Sequence, residues 1–167
     1  MFRAAFALLL VLGLAACGFQ PTLRDTSGQY DISVPLLDGR DGQLLRAALV
    51  QRINRFNQPK TPSFVLDLAL QVEAREVVRF DDPNCAATGE NCTWLEIAAV
   101  SPVIIRAGSL SHANLVVWEG QGRGRADLRL SQLGWAGQPT LEQAQEQAIE
   151  QLADDIAAQV AIALARL

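Results

Sequence analysis

Cysteine, histidine and arginine are the side chains with which this sequence could do chemistry, and the first two are scarce: Cys17, Cys85, Cys92 and His112. Cys17 closes Leu14-Ala15-Ala16-Cys17, which matches the bacterial lipobox spacing of Leu-Ala-small-Cys. In signals of that pattern the cysteine is acylated and becomes the first residue of the mature protein, so Cys17 is expected to anchor the chain. The residues before it fit: Arg3 supplies one positive charge, and Ala4 to Leu14 form an apolar run, the layout of a signal peptide. That run is shorter than the roughly 20 residues that span a bilayer as a helix. The alternative is an ordinary secretory signal cut near Ala15 or Ala16 that leaves a cysteine behind. Gly18 is not the aspartate that typically retains such proteins in the inner membrane, so the expected address is the periplasmic face of the outer membrane.

Cys85 and Cys92 bracket the turn-rich stretch Asp82-Pro83-Asn84-Cys85 to Asn91-Cys92-Thr93. In an oxidising compartment a disulfide closing this loop is the favoured reading, since no third exported thiol competes. Metal binding would need more ligands nearby, and His112 is distant in sequence. We expect neither a metal nor a cofactor. His112 reads as an exposed or hydrogen-bonded strand residue before it reads as a general base. No nucleophile elbow or serine–histidine–aspartate spacing is present, and the expectation is a protein without enzymatic activity. The pairs Asp81-Asp82 and Asp154-Asp155 are accounted for by solvation.

Arg123, Arg125 and Arg129 alternate with small residues in Gly120-Gln121-Gly122-Arg123-Gly124-Arg125-Ala126-Asp127-Leu128-Arg129. If this stretch is extended, the three guanidinium groups share one face and can grip a phosphate or carboxylate through bidentate hydrogen bonds. The competing readings are a solvated sheet face, or pairing with the chain's own carboxylates. The Gly-x-Gly-x-Gly run is not a dinucleotide fingerprint, because no helix follows it directly. It fits a kinked or close-packed strand, or a glycine-rich hairpin.

These groups must be held by one domain. We divide the chain into a signal at 1–16, a tether at 17–29 and a single domain at 30–167, about the usual domain size. Half of all residues are hydrophobic, enough for one core. The net charge is −4, or −5 once Arg3 leaves with the signal, so a general nucleic-acid binder is not expected. Tyr30 to Leu36 alternates as a strand that Pro35 keeps short or at an edge. Leu45, Ala48, Leu49, Ile53 and Phe56 mark an amphipathic helix, with Asp41 as its N-cap. From Ser63 the period drops to two, and one long strand is predicted, extending as far as Phe80. Trp94 to Ala107 is apolar on both faces, a strand expected to be covered twice. Ala113 to Trp118 is another strand. Thr140 and Gln143 have the spacing of a capping box and open a terminal helix with the stripe Leu141, Ala144, Ala148, Leu152, Ile156, Val160, Leu164 and Leu167. The predicted class is α+β, a two-layer sandwich with two helices packed on one face of a mainly antiparallel four- to five-stranded sheet.

The opening Leu14-Ala15-Ala16-Cys17-Gly18-Phe19, with Leu23-Arg24 shortly after, resembles that of the LptE family of lipopolysaccharide-assembly lipoproteins. Gly39-Arg40-Asp41-Gly42-Gln43-Leu44-Leu45-Arg46 is similar to the start of that family's first helix, and the order of elements is similar to its fold. The Cys85/Cys92 loop and the Gly120 to Arg129 segment depart from the family pattern, the latter as an extra strand. The resemblance implies an outer-membrane lipoprotein that sits in, and helps assemble, the LptD-type β-barrel inserting lipopolysaccharide into the outer leaflet. The phosphorylated head of lipopolysaccharide is then the candidate anionic ligand for Arg123, Arg125 and Arg129. The alternative is a regulatory or pilotin-type lipoprotein acting on a peptidoglycan synthase or a secretion machine, because Leu115 to Gly120 followed by a terminal helix is similar to those activators. About a dozen residues separate Cys17 from the first strand, a reach of a few tens of Å at about 3.5 Å each, which favours a partner in the outer membrane itself.

Overall fold

The computed structural model describes residues 31–54, 59–78, 93–108, 115–129 and 140–166. The signal and tether with Cys17, the Cys85/Cys92 loop, His112, the Asp81-Asp82 pair and the side chain of Arg129 lie outside the described residues.

The elements run β1 (Ile32–Ser33), α1 (Gly39–Asn54), β2 (Phe64–Leu68), β3 (Gln71–Val78), β4 (Thr93–Ala107), β5 (Val116–Arg129) and α2 (Leu141–Leu164). β4 organises the sheet. One of its edges pairs first with β2 and then with β3, and the other pairs with β5, all antiparallel. β1 adds to β2 in parallel, across α1, as a parallel pair requires a crossover. The fold is the expected α+β class, two helices against a mostly antiparallel sheet.

The single strand expected from Ser63 is two, separated by Ala69 and Leu70. Pro102, in the facing stretch of β4, is the cause. Pairing is in one register on both sides of the gap, with Leu68 opposite Val103 and Gln71 opposite Val100. The pairs Leu70/Ser101 and Ala69/Pro102 are missing, the latter because proline has no N–H to donate. The fully buried Ser101 fills that rung: its hydroxyl accepts from the Ala69 N–H at 3.1 Å and donates to the Pro102 carbonyl at 2.8 Å. Both polar groups are thereby satisfied in the core.

Two other expectations change. Asp41 is not the cap of α1 but lies inside its first turn, where its charge still suits the positive end of the helix dipole. Gly39 begins the helix with φ of 76°, a left-handed conformation that glycine takes without strain. The supposed extra strand is the continuation of β5 through Gly120 to Arg129, so it adds no further strand. At the other helix the capping box is as expected: Thr140 Oγ1 accepts from the Gln143 N–H at 3.2 Å, and Gln143 Oε1 accepts from the Thr140 N–H at 2.8 Å.

The core lies between the helices and one sheet face. Leu45, Leu49 and Ile53 of α1 and Ala148, Leu152 and Ile156 of α2 join Leu66, Ile97, Val103 and Ile105 from the strands. α1 and α2 are tied along their outer surfaces by ion pairs. Arg52 meets Glu150 at 2.5 Å and Asp154 at 2.6 Å, and Arg40 meets Glu142 and Glu146. The hydrogen bond that Arg52 donates to Asp154 is the largest cause holding its guanidinium above its ordinary pKa, against the lowering effect of burial. Asp154 is thus paired, not merely solvated. β4 is not covered twice: its second apolar face, with Ala98, Val100 and Ile104, stays partly accessible because both helices lie on the other side.

Candidate functional site

Side chains alternate across a strand, so the pairing of β3, β4 and β5 decides which groups meet on the uncovered face. Arg75 lies opposite Glu96, Ala98 opposite Arg125, and Val100 opposite Arg123. Arg123 and Arg125 share this face as the sequence predicted, and the backbone of Arg129 pairs with Trp94. β3 adds Arg75, which the sequence reading did not select. No local signal marked it, since Arg75 and Glu96 are brought together only by strand pairing.

Glu96 is the centre of the cluster. It is only 5% exposed, while the side chains of Arg75 and Arg125 are 71% and 62% exposed. Arg75 gives Glu96 Oε1 a forked contact, at 3.1 Å from Nε and 2.8 Å from Nη2. Arg125 Nη1 stands 3.4 Å from Oε2. A buried carboxylate needs such partners, because burial without them carries a large desolvation penalty. Part of the arginine stripe is therefore committed to the chain's own acid. Arg123 is engaged differently: its Nη2 and Nε meet Gln121 Oε1 at 2.8 and 3.3 Å. Gln121 is neutral, so this contact leaves the charge of Arg123 uncompensated.

Between these groups lies an open depression of about 490 Å³ with Ala98 and Val100 on its floor and Arg75, Arg123 and Arg125 among its walls. An apolar floor beneath guanidinium groups suits a ligand or protein surface with both apolar and anionic parts. Glu73 and Glu96 also line it, so the site is of mixed sign and selects by placement of charge. Among the described residues no group of three or more histidine, cysteine, aspartate or glutamate side chains is placed to hold a metal ion.

The glycines of β5 serve the opposite face. A Cβ on Gly124 would sit 2.0 Å from the Ala148 carbonyl oxygen and 2.5 Å from the Leu152 nitrogen, and one on Gly122 2.5 Å from Ile156 Cγ1. The close-packed reading of the Gly-x-Gly-x-Gly run is the one observed, with α2 lying against the strand. This approach lets α2 close the outer edge of β5. Gln151 Oε1 accepts from the Arg125 N–H at 3.3 Å and Asp155 Oδ2 from the Arg123 N–H at 2.9 Å, while Gln159 Nε2 donates to the Gln121 carbonyl at 3.0 Å. Three helix residues spaced by four thus satisfy three edge groups, and the edge is blunted against pairing with another chain. The backbone carrying the arginines is rigidly held.

No helix among the described residues is long and apolar enough to cross a membrane. No protein-family model matches the chain, and no curated protein matches it. Among solved structures, one from Caulobacter crescentus CB15, described as a "putative lipoprotein", is similar in fold, with a TM-score of 0.58 and 20% sequence identity. The match covers 84% of this chain and 94% of that one, so the two share an architecture along nearly the whole length of the solved chain.

Proposed function

We propose that this chain is an outer-membrane lipoprotein, acylated on Cys17 and held at the periplasmic face. Its role is to bind, plug and help assemble an LptD-type β-barrel that inserts lipopolysaccharide into the outer leaflet. The lipobox, the Cys17-Gly18-Phe19 opening and the fold shared with a structure described as a lipoprotein support the first part. The observation that carries the second is the uncovered sheet face. An antiparallel sheet covered on one side ordinarily turns a polar face to water, yet here Ala98 and Val100 floor a depression rimmed by arginines. That is a surface for binding, and a barrel wall or the phosphorylated head of lipopolysaccharide supplies matching chemistry. The role requires no catalysis.

The test is a gentle-detergent pull-down of the tagged lipoprotein from its own outer membrane, with the captured proteins identified by mass spectrometry. A large β-barrel at near-equal amount is expected. Arg123→Glu with Arg125→Glu should lower its recovery by about ten-fold, the effect of 1.4 kcal/mol, and unchanged recovery removes this face from the interface. Capture of a peptidoglycan synthase or a secretion ring without the barrel overturns the reading in favour of a regulatory lipoprotein.

A further inference from the structure

One end of the sandwich brings together where the chain comes in and an exposed apolar cluster. The Phe64 N–H donates to the Asp31 carbonyl at 3.0 Å, Phe64 lies opposite Ala107, and the Ala107 N–H donates to the Leu115 carbonyl at 3.0 Å. Asp31, Phe64, Ala107 and Leu115 therefore form one row across the sheet's end. α1 finishes there too, with Asn54 Nδ2 donating to the Ile32 carbonyl at 2.7 Å. So does α2, which passes Gly124 at Ala148 and Gly120 at Gln159. At this end Leu115 is 56% and Ile162 54% exposed, and Val116 is also exposed. Single exposed apolar residues need no explanation, but a group of them on one end does.

We propose that this end is a bilayer-contacting surface: before it joins a partner, the lipoprotein rests with Leu115, Val116 and Ile162 against the phospholipids of the leaflet that holds its anchor. The inference rests on the acylation of Cys17. Thirteen residues lie between Cys17 and Asp31, at most about 50 Å of extended chain, and Asp31 stands at this end of the body.

Charge selects between the two ends. The opposite one also carries exposed apolar residues, Leu36 and Leu141. There they stand among Asp38, Asp41, Glu142 and Glu146, with Arg40 as the counter-charge. A leaflet containing anionic phospholipid repels that surface. Among the described residues the tether end carries Lys60, Arg106 and Arg166 against Asp31, Asp67 and Glu119, with Arg106 opposite Val116 and paired with Asp67, a balance that permits close approach. Apolar tips on such a surface add to a lipid anchor as a second attachment. The depression lies further along the sheet, where Val100 faces Arg123 and Ala98 faces Arg125, and stays open to a partner.

The experiment uses the full-length lipoprotein in phosphatidylethanolamine–phosphatidylglycerol vesicles containing a small fraction of diazirine-bearing phospholipid. After irradiation, lipid adducts are mapped by mass spectrometry. Adducts are expected on the peptides with Leu115 to Val117 and Ile162 to Leu164, and not on those with Leu36 or Leu141. The triple variant Leu115→Asn, Val116→Asn, Ile162→Asn, whose sites are all exposed, should keep its circular dichroism and lose labelling at least about five-fold. Labelling concentrated at Leu36 and Leu141, or equal in the variant, overturns the proposal. The mass of the N-terminal peptide reports acylation separately. An unacylated chain that still labels at Leu115 to Val117 removes the anchor and keeps the contact. Absence of labelling there removes the contact in either form.

Discussion

Gly122 and Gly124 both turn toward α2, but what a methyl group would meet differs. At Gly124 the obstacles are backbone atoms, Ala148 O and Leu152 N, which move only if the helix moves. At Gly122 they are side-chain atoms of Ile156 and Leu152, which can shift rotamer. Overpacking costs typically about 1–3 kcal/mol, and Gly124→Ala should lie at or above the upper limit and Gly122→Ala below it. Urea denaturation of the two variants reads the order directly. Glu96 supplies a second asymmetry at this scale. Arg75→Met with Arg125→Met keeps the apolar stems over the carboxylate while removing its partners, and should destabilise by about 3 kcal/mol. Glu96→Gln leaves two largely exposed guanidinium groups to water and should cost about 1 kcal/mol or less. Equal losses would show that the cluster is held by surface charge alone. Arg75 and Glu96 were illegible as a site because neither residue type nor spacing relates positions in different strands.

At the scale of the element, α2 acts as both core helix and edge cover. Its stripe, Ala144, Ala148, Leu152, Ile156 and Val160, is buried as the 3.6-residue period required. Gln151, Asp155 and Gln159, which no local pattern marks as edge partners, bond the free edge of β5. Replacing all three by alanine keeps helix propensity and reopens that edge. The variant should lose about 1 kcal/mol per hydrogen bond and self-associate with rising concentration in sedimentation velocity, as an exposed edge strand does. A variant that stays monomeric would mean that the helix backbone, not these side chains, shields the strand. The break between β2 and β3 belongs to the same scale. The alternation from Phe64 was readable, but the interruption comes from Pro102, some thirty residues away, through a rung that proline cannot make.

For the whole molecule, the proposed role separates anchoring from folding. With Cys17 acylated as proposed, Cys17→Ser should move nearly all of the protein from the membrane to the soluble fraction and leave the thermal midpoint unchanged, because the helices and strands from Ile32 onward pack a core against one another. Fractionation together with a melting curve tests both halves. A lowered midpoint would mean that the acylated end is part of the fold.

The sequence by itself determined what depends on near neighbours along the chain: the apolar stripes of both helices, the capping box at Thr140, the alternation of the strands and the lipobox pattern at Cys17. Those signals are local, because helix and strand periods repeat within a few residues. Only the tertiary structure decided which sheet face the helices cover and that Glu96 is buried between Arg75 and Arg125. It also decided that Gly124 is needed by α2 rather than by a ligand, and that Leu115 and Ile162 share an end with Asp31. Strand pairing and helix docking join residues tens of positions apart, and the partner at such distances is chosen by packing and by unsatisfied backbone groups, not by sequence spacing.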